Sequence, residues 1–253
     1  MPRARAGNVR PSGKRASIST KTEALVVRRV QVGEADLLVT ALTRAHGQVS
    51  ISARGARRAT SRLGPLEPMH TLELGLALVP GVEIARLTES KIVTPRLGLL
   101  DDPVRLDLAA RVLAWGRDLV PPLSPEPRAF DIVEATLDAL GAPAESAFDA
   151  ILVGAGLQLL VALGFGLELG ACVGCGTPCP RRASAYVDAG RGGLVCRACG
   201  GAREILPTAT RMKLASASAG IRVELDVAEA AVGIRVVEEA ISAQRGARPR
   251  RTK

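Results

Sequence analysis

The sequence predicts an α+β multidomain chain: an N-terminal OB-type β-barrel, then an α-helical domain into which a four-cysteine zinc module is inserted. Three observations predict it. The stretch from Thr20 to Pro95 carries a succession of short strand patterns. After Pro95 the apolar spacing becomes helical. Two Cys-x-x-Cys pairs, Cys172-Val-Gly-Cys175 and Cys196-Arg-Ala-Cys199, interrupt the helical part. The resulting division is a tail at 1–19, a barrel at 20–96, helices at 97–169, the module at 170–206, helices again at 207–244 and a tail at 245–253.

The first strand is read at 24–27, where Ala-Leu-Val-Val is continuously apolar. The second is 37–42. The third, 48–53, alternates with period two behind the turn residues His46-Gly47. The fourth, 71–78, alternates again, and the fifth, 83–88, follows the turn Pro80-Gly81. Asp101-Asp102-Pro103 then has the form of a cap with proline in the first turn, opening a helix over 103–120 that stops at Pro121-Pro122. Further helices are expected at 127–141, 146–163, 208–218 and 227–244. Ala150 to Leu167 is apolar except for Gln158, long enough to ask whether it spans a membrane. Its four glycines and the acidic flanks Asp149 and Glu168 favour a buried core helix.

Each Cys-x-x-Cys pair places two thiolates on one tight turn. The residues between the pairs, 176–195, suffice for a hairpin that folds one knuckle onto the other. Four sulfurs then close a tetrahedral Zn²⁺ site with no open position, which is structural rather than catalytic. Gly174, Gly176 and Gly200 flank the ligands, where knuckle turns need unusual dihedrals. Redox thiols and disulfides are the competing readings. A redox pair usually accompanies a βαβ pattern, and nothing looks secreted. Cys179 is left over and reads as a spare thiol, with replacement of Cys175 as its alternative.

The net charge of +9 is unevenly spread. Residues 1–21 hold +6 and residues 245–253 hold +5, with no acid in either; residues 22–100 hold +3 and residues 101–244 hold −5. Basic tails suit attraction to phosphate backbones, and equally suit simple solubility. A basic start without an apolar run is no secretory signal, so the chain reads as cytoplasmic.

The stretch 53–65, Ala-Arg-Gly-Ala-Arg-Arg-Ala-Thr-Ser-Arg-Leu-Gly-Pro, holds Arg54, Arg57, Arg58 and Arg62 without an acid, directly after a strand. Guanidinium forks in a loop at a barrel rim bind phosphates, with Thr60 and Ser61 as hydroxyl donors; a merely solvated loop is the other reading. No aromatic precedes Trp115, so the barrel has none on which to stack a base. Its contacts would be backbone-directed, sequence-neutral and salt-dependent. Enzyme signatures are wanting. There is no P-loop, and His46 and His70 lie far from the cysteines in sequence. Gly33-Glu34-Ala35-Asp36 reads as an exposed turn before a strand rather than a metal site.

Together, Gly33-Glu34-Ala35-Asp36-Leu37-Leu38-Val39-Thr40, Leu42-Thr43-Arg44-Ala45-His46-Gly47, the arginine stretch with Ser61-Arg62-Leu63, Leu66-Glu67-Pro68, Leu87-Thr88-Glu89-Ser90 and the cysteine module with Gly192-Gly193-Leu194-Val195-Cys196 resemble the bacterial recombination mediator family RecO. The match runs from about Thr22 to Met212 and leaves out both tails. The resemblance implies a non-enzymatic mediator in DNA repair and recombination. Such a protein binds single- and double-stranded DNA and anneals strands coated by single-strand binding protein. It contacts that protein's acidic C-terminal tail and works with RecR to load RecA, in the cytoplasm and at the nucleoid. By motif position Arg54, Arg57, Arg58 and Arg62 would contact DNA, with Lys91 a further candidate, while Cys172, Cys175, Cys196 and Cys199 would hold Zn²⁺. Arg203, Arg211 and Lys213 are candidates for the acidic tail. Two positions depart from the family pattern: Val32, and Met69-His70, stand where aromatics are expected, and both read as core substitutions.

A zinc-containing DNA-binding transcription regulator is the alternative. It would need a recognition helix combining basic and amide side chains, and none is evident. A thiol oxidoreductase is a third reading, which would require a reducible disulfide instead of zinc.

Overall fold

The structure is a computed structural model that describes residues 17–142 and 148–247. Five strands close the barrel: β1 (Ile18–Val32), β2 (Asp36–Thr43), β3 (Gly47–Ala53), β4 (Thr71–Leu78) and β5 (Ile84–Thr94). Their order around the barrel is β1-β2-β3-β5-β4, with β3 and β5 parallel and the other pairs antiparallel. This is the five-stranded barrel that the alternation predicts. β3 shows why: Val49, Ile51 and Ala53 are fully buried while Gln48, Ser50 and Ser52 face outward.

Two strands are longer than their apolar runs. β1 extends to Ile18, inside the stretch read as a tail, and to Val32 through Arg28 and Arg29. Polar residues continue it because β1 is paired on both sides, with β2 and with β4, so the ladder rather than propensity holds it extended. A register shift between Val26 and Arg28 gives it the bend that closure needs. β5 likewise runs on to Thr94 along β4. Val32 is 50% exposed and so is not a core substitution, whereas Met69 and His70 are buried as expected.

The helices are α1 (Pro103–Leu119), α2 (Pro127–Gly141), α3 (Phe148–Ala162), α4 (Thr208–Ser218) and α5 (Val227–Ala247). Asp102 caps α1, accepting from Val104 N at 2.9 Å. α3 begins at Phe148; the first two residues of its expected span lie outside the described residues. Its Leu152, Val153, Leu157, Leu159 and Leu160 are buried, and no helix among the described residues is long and apolar enough to cross a membrane. Arg245 belongs to α5 rather than to a tail, and its Nε lies 3.5 Å from Asp118 Oδ2. Of the expected basic tails at 1–19 and 245–253, residues 1–16 and 248–253 lie outside the described residues.

The module is a four-stranded sheet ordered β6 (Glu168–Cys172), β8 (Gly193–Leu194), β7 (Ala185–Asp188), β9 (Glu204–Leu206). It is continuous with the helical core, since Leu169, Val187, Leu194 and Leu206 are buried in the same cluster as residues of α1 to α5. Leu25, Leu42 and Met69 of the barrel join that cluster too, so one apolar core spans barrel and helices.

Candidate nucleic-acid rim and metal centre

The rim loop between β3 and β4 is a chain of turns. Arg58 N donates to Gly55 O at 3.1 Å and Ser61 N to Arg58 O at 2.9 Å. Apolar pegs fix it to the barrel: Ala56 and Leu63 pack on the core that holds Leu66. Ser90 Oγ donates to Pro65 O at its exit. With the pegs inward, Arg54, Arg57, Arg58 and Arg62 are all exposed. Among the described residues none of the four is ion-paired to a carboxylate.

The β1–β2 turn carries the loop. Asp36 Oδ1 accepts from Gly55 N at 2.7 Å, and Ala35 O from Arg57 N at 3.0 Å. Arg57 Nη1 donates to Glu34 O at 2.9 Å, so this guanidinium is held while the other three reach into solvent. The turn is exposed at Gly33 and Glu34 but half-buried at Ala35 and Asp36, the two residues that brace the loop. Sequence reading gave it no such role; the signal was a short acidic turn preceding an arginine run.

Beneath the loop opens a cleft of about 600 Å³ lined by Arg29, Gln31, Arg57, Leu63, Leu66 and Glu67. Arg29 Nη1 lies 2.8 Å from Glu67 Oε1 at its wall. Lys91 is also exposed but sits across the β4–β5 ladder from Glu73. That wall mixes charge, with Lys21 2.6 Å from Glu89 and 3.6 Å from Glu73. The four arginines share one loop; Lys91 stands on a different wall.

At the other end, the Sγ atoms of Cys172, Cys175, Cys196 and Cys199 all lie within 4.8 Å of one another. Cys175 Sγ and Cys196 Sγ are 3.7 Å apart, against about 3.8 Å expected between ligands of a tetrahedral Zn–S₄ centre. Cys196 N at 3.2 Å and Gly174 N at 3.4 Å donate to Cys172 Sγ, as backbone amides do for metal-bound thiolates. The Cys196 amide is the main reason that the Cys172 thiol drops to about 6. Cys175 is lowered by the Thr177 hydroxyl and amide. Cys199 is pushed up to about 12 because the sulfurs of Cys196, Cys175 and Cys172 crowd it. Four sulfurs gathered this closely, with backbone amides aimed at one of them, could hold a metal ion. The donor set fits zinc.

Gly176 (φ +74°) and Gly200 (φ +101°) end their knuckles in the left-handed region. Gly174 does not; there the need is space, since a Cβ would lie 3.1 Å from Cys199 Sγ. Cys179 is outside the cluster, packing instead against the helical core, so it does not replace Cys175.

Two candidates for an acidic partner are already engaged. Arg211 is buried, donating to Leu169 O at 2.9 Å and to Pro180 O and Arg181 O at 2.7 and 3.1 Å. It clamps the module to α4. Lys213 Nζ lies 2.5 Å from Glu229 Oε2. Arg203 remains exposed.

The residues that sequence reading missed form the barrel–helix seam. Arg96, 3% exposed, meets Asp138 at 2.6 Å and donates to Met69 O at 3.1 Å and Thr71 Oγ1 at 3.0 Å. Glu134 accepts from Thr71 at 2.7 Å and pairs with Arg44 at 3.2 Å. Arg44 also meets Asp131 at 2.5 Å and lies 4.9 Å from the Phe130 ring centroid. Asp131, Glu134 and Asp138 make an i, i+3, i+7 acidic stripe along α2, which was the available signal.

The comparisons agree with this architecture. The family model described as recombination protein O N terminal matches residues 18–96, and that described as recombination protein O C terminal matches residues 100–253. The chain is 35% identical over 193 residues to the DNA repair protein RecO of Anaeromyxobacter sp. (strain K), covering 75% of this chain and 74% of that one. It is 31% identical over 189 residues to the DNA repair protein RecO of Cutibacterium acnes, covering 71% and 73%. With the DNA repair protein RecO of Geobacter metallireducens the figures are 32% over 188 residues, 72% and 73%.

Proposed function

This chain belongs to the RecO family of DNA repair proteins, and from that premise we propose that it is a cytoplasmic recombination mediator whose barrel rim binds DNA by its phosphates. In this reading it binds single- and double-stranded DNA and anneals complementary strands coated with single-strand binding protein, contacting that protein's C-terminal tail. With RecR it assists the loading of RecA. It works without catalytic chemistry of its own and holds a structural Zn²⁺ on Cys172, Cys175, Cys196 and Cys199.

The observation that carries the reading is the rim: exposed arginines, pegged from beneath, with no carboxylate paired to them among the described residues. Charges held in that way release counterions from a phosphate backbone without first breaking an internal ion pair. No aromatic belongs to the barrel, so a strand held there is not gripped by its bases and stays available for pairing. Arg54, Arg58 and Arg62 would make the phosphate contacts, with Arg57 positioning the loop as well. Lys91 would contribute little, given Glu73 opposite.

The test is annealing of complementary oligonucleotides precoated with the cognate single-strand binding protein, comparing wild type with a variant carrying Arg54→Ala, Arg57→Ala, Arg58→Ala and Arg62→Ala. Annealing by wild type that is lost in the variant is the expected result. Annealing retained in the variant keeps the mediator but moves its DNA site. A folded, zinc-loaded wild type that does not anneal overturns the reading.

A further inference from the structure

The module's sheet has two faces, and strand pairing assigns them. Val187 and Leu206 are buried in the helical core. Glu204 turns the same way and takes Arg235 of α5 at 3.2 Å. Alternation along β7 and β9 therefore sends Tyr186 and Ile205 to the opposite face, where they are partners across the ladder. Ile205 is 51% exposed.

Tyr186 is the one tyrosine of the chain, and the other aromatics lie elsewhere. Trp115 and Phe130 are buried, and Phe148 and Phe165 pack against the helical core; Tyr186 joins neither apolar cluster. Its ring rests against Gly201, where a Cβ would lie 3.7 to 3.8 Å from three adjoining ring carbons. Arg197 Nη2 donates to the hydroxyl at 3.2 Å. The ring is thus fixed at its edge by a guanidinium and supported from behind by backbone. Arg197 itself is exposed, as is Arg203, two residues before Ile205. Asp188, the acid nearest in sequence, is engaged in capping Arg191 N at 3.0 Å.

We infer that this outer face of the module is a second nucleic-acid surface, taking single-stranded nucleic acid with a base stacked on Tyr186 and Ile205 and neighbouring phosphates against Arg197 and Arg203. It supplies what the barrel lacks. A fixed aromatic ring beside guanidinium groups holds unpaired bases irrespective of sequence. The net positive charge there is modest, because a four-thiolate zinc centre is itself anionic, so stacking and not bulk charge sets the preference. A base inside a duplex is already stacked and cannot reach the ring; the surface therefore selects single strands. The inference goes beyond the rim reading and does not require it.

The test measures fluorescence anisotropy of a dT oligonucleotide and of a duplex of equal length at physiological salt, in the wild-type background and in the background of the four rim substitutions. Tyr186→Leu should lower dT affinity about tenfold in the rim-substituted background, with duplex binding and zinc content unchanged. Tyr186→Phe should retain the affinity, since the ring remains. Irradiation with a 5-iodouracil oligonucleotide should cross-link Tyr186. Ile205→Glu, at an exposed position, should lower dT affinity in the same sense, which covers the case in which Tyr186→Leu loses its zinc. A zinc-loaded variant binding dT within about twofold of its parent overturns the inference, as does equal loss on dT and duplex. Those outcomes are separate from the rim's: should the rim-substituted protein bind as wild type does, the rim reading fails while the Tyr186 comparison still decides this one.

Discussion

At the rim, Arg54, Arg58 and Arg62 stand exposed on a loop with no carboxylate paired to them among the described residues. At the seam, Arg96 is 3% exposed and reaches a carboxylate of α2 together with a carbonyl and a hydroxyl of the chain at 69–71. The side chain is the same and the physical role is inverted. A rim guanidinium keeps its water on folding, so it adds little to stability and stays free to meet a ligand. A seam guanidinium has given up its water on folding, so its worth lies in holding α2 to the barrel. Clustering in sequence marked the first set; only burial and partners identify the second.

The largest effect should come from breaking the seam. Arg96→Met leaves the Met69 carbonyl without its guanidinium donor and takes the counter-charge from Asp138 and one partner from Thr71, which keeps Glu134, at a junction of barrel and helices. A loss of about 2–3 kcal/mol in chemical denaturation is expected, from the lost hydrogen bonds of a buried guanidinium. Arg96→Lys should recover little, because one ammonium cannot span those three partners. If Arg96→Met cost less than ~1 kcal/mol, the shared apolar core of Leu25, Leu42 and Met69 would be carrying the junction alone.

Next is Arg211, a candidate for an acidic partner by sequence that is buried and clamps the module instead. Arg211→Met takes the guanidinium from the Leu169, Pro180 and Arg181 carbonyls, of which Pro180 O keeps Ala183 N, and should cost about 2 kcal/mol. Because β6 leads into Cys172, a chelator should also strip zinc faster from this variant than from wild type. Unchanged stripping would mean that the knuckles hold without the clamp.

The contrast also explains what could be read before the structure. The Cys-x-x-Cys spacing specifies its own geometry, so the gathering of the four sulfurs was legible, and so was the place of Cys179 outside their cluster. The helix over Pro127–Gly141 was legible because proline opens it and glycine closes it. β1 was legible only at its apolar middle. Thr20 to Glu23 and Arg28 to Gln31 are extended because β4 and β2 lie beside them, and pairing across the barrel leaves no local mark. The seam was illegible for the same reason: Arg96 and Asp138 are far apart in sequence, and an arginine after a proline announces nothing. Val32 stands where the family pattern expects an aromatic and so reads as a core position, whereas at the end of β1 it is 50% exposed.

A smaller effect follows pH. His70 Nδ1 accepts from Arg96 N at 3.0 Å, and burial, then the Arg96 charge, lowers its pKa below the ordinary 6.5. The folded state therefore favours neutral imidazole. The unfolded chain takes up a proton first as pH falls through 6.5, so stability is complete above that value and declines below it, levelling beneath the folded pKa. Thermal midpoints of wild type should fall faster from pH 7 to pH 5 than those of His70→Gln. Parallel profiles would show that other groups govern the acid side.

The smallest effect on stability should be at the rim, and its smallness is the point. Among the described residues, substituting Arg54, Arg57, Arg58 and Arg62 by Ala removes one side-chain hydrogen bond, from Arg57 to Glu34 O, while Ala56 and Leu63 still peg the loop. The denaturation free energy should move by no more than about 0.5 kcal/mol. Over the same substitutions the salt dependence of single-strand binding should flatten, the log–log slope shrinking by up to about 3. The two numbers must be read together. A flattened slope with unchanged stability says that these charges wait for a phosphate backbone. A rim variant destabilised as much as Arg96→Met would instead place the rim arginines among the structural ones, and the difference between the two regions would be one of exposure and not of role.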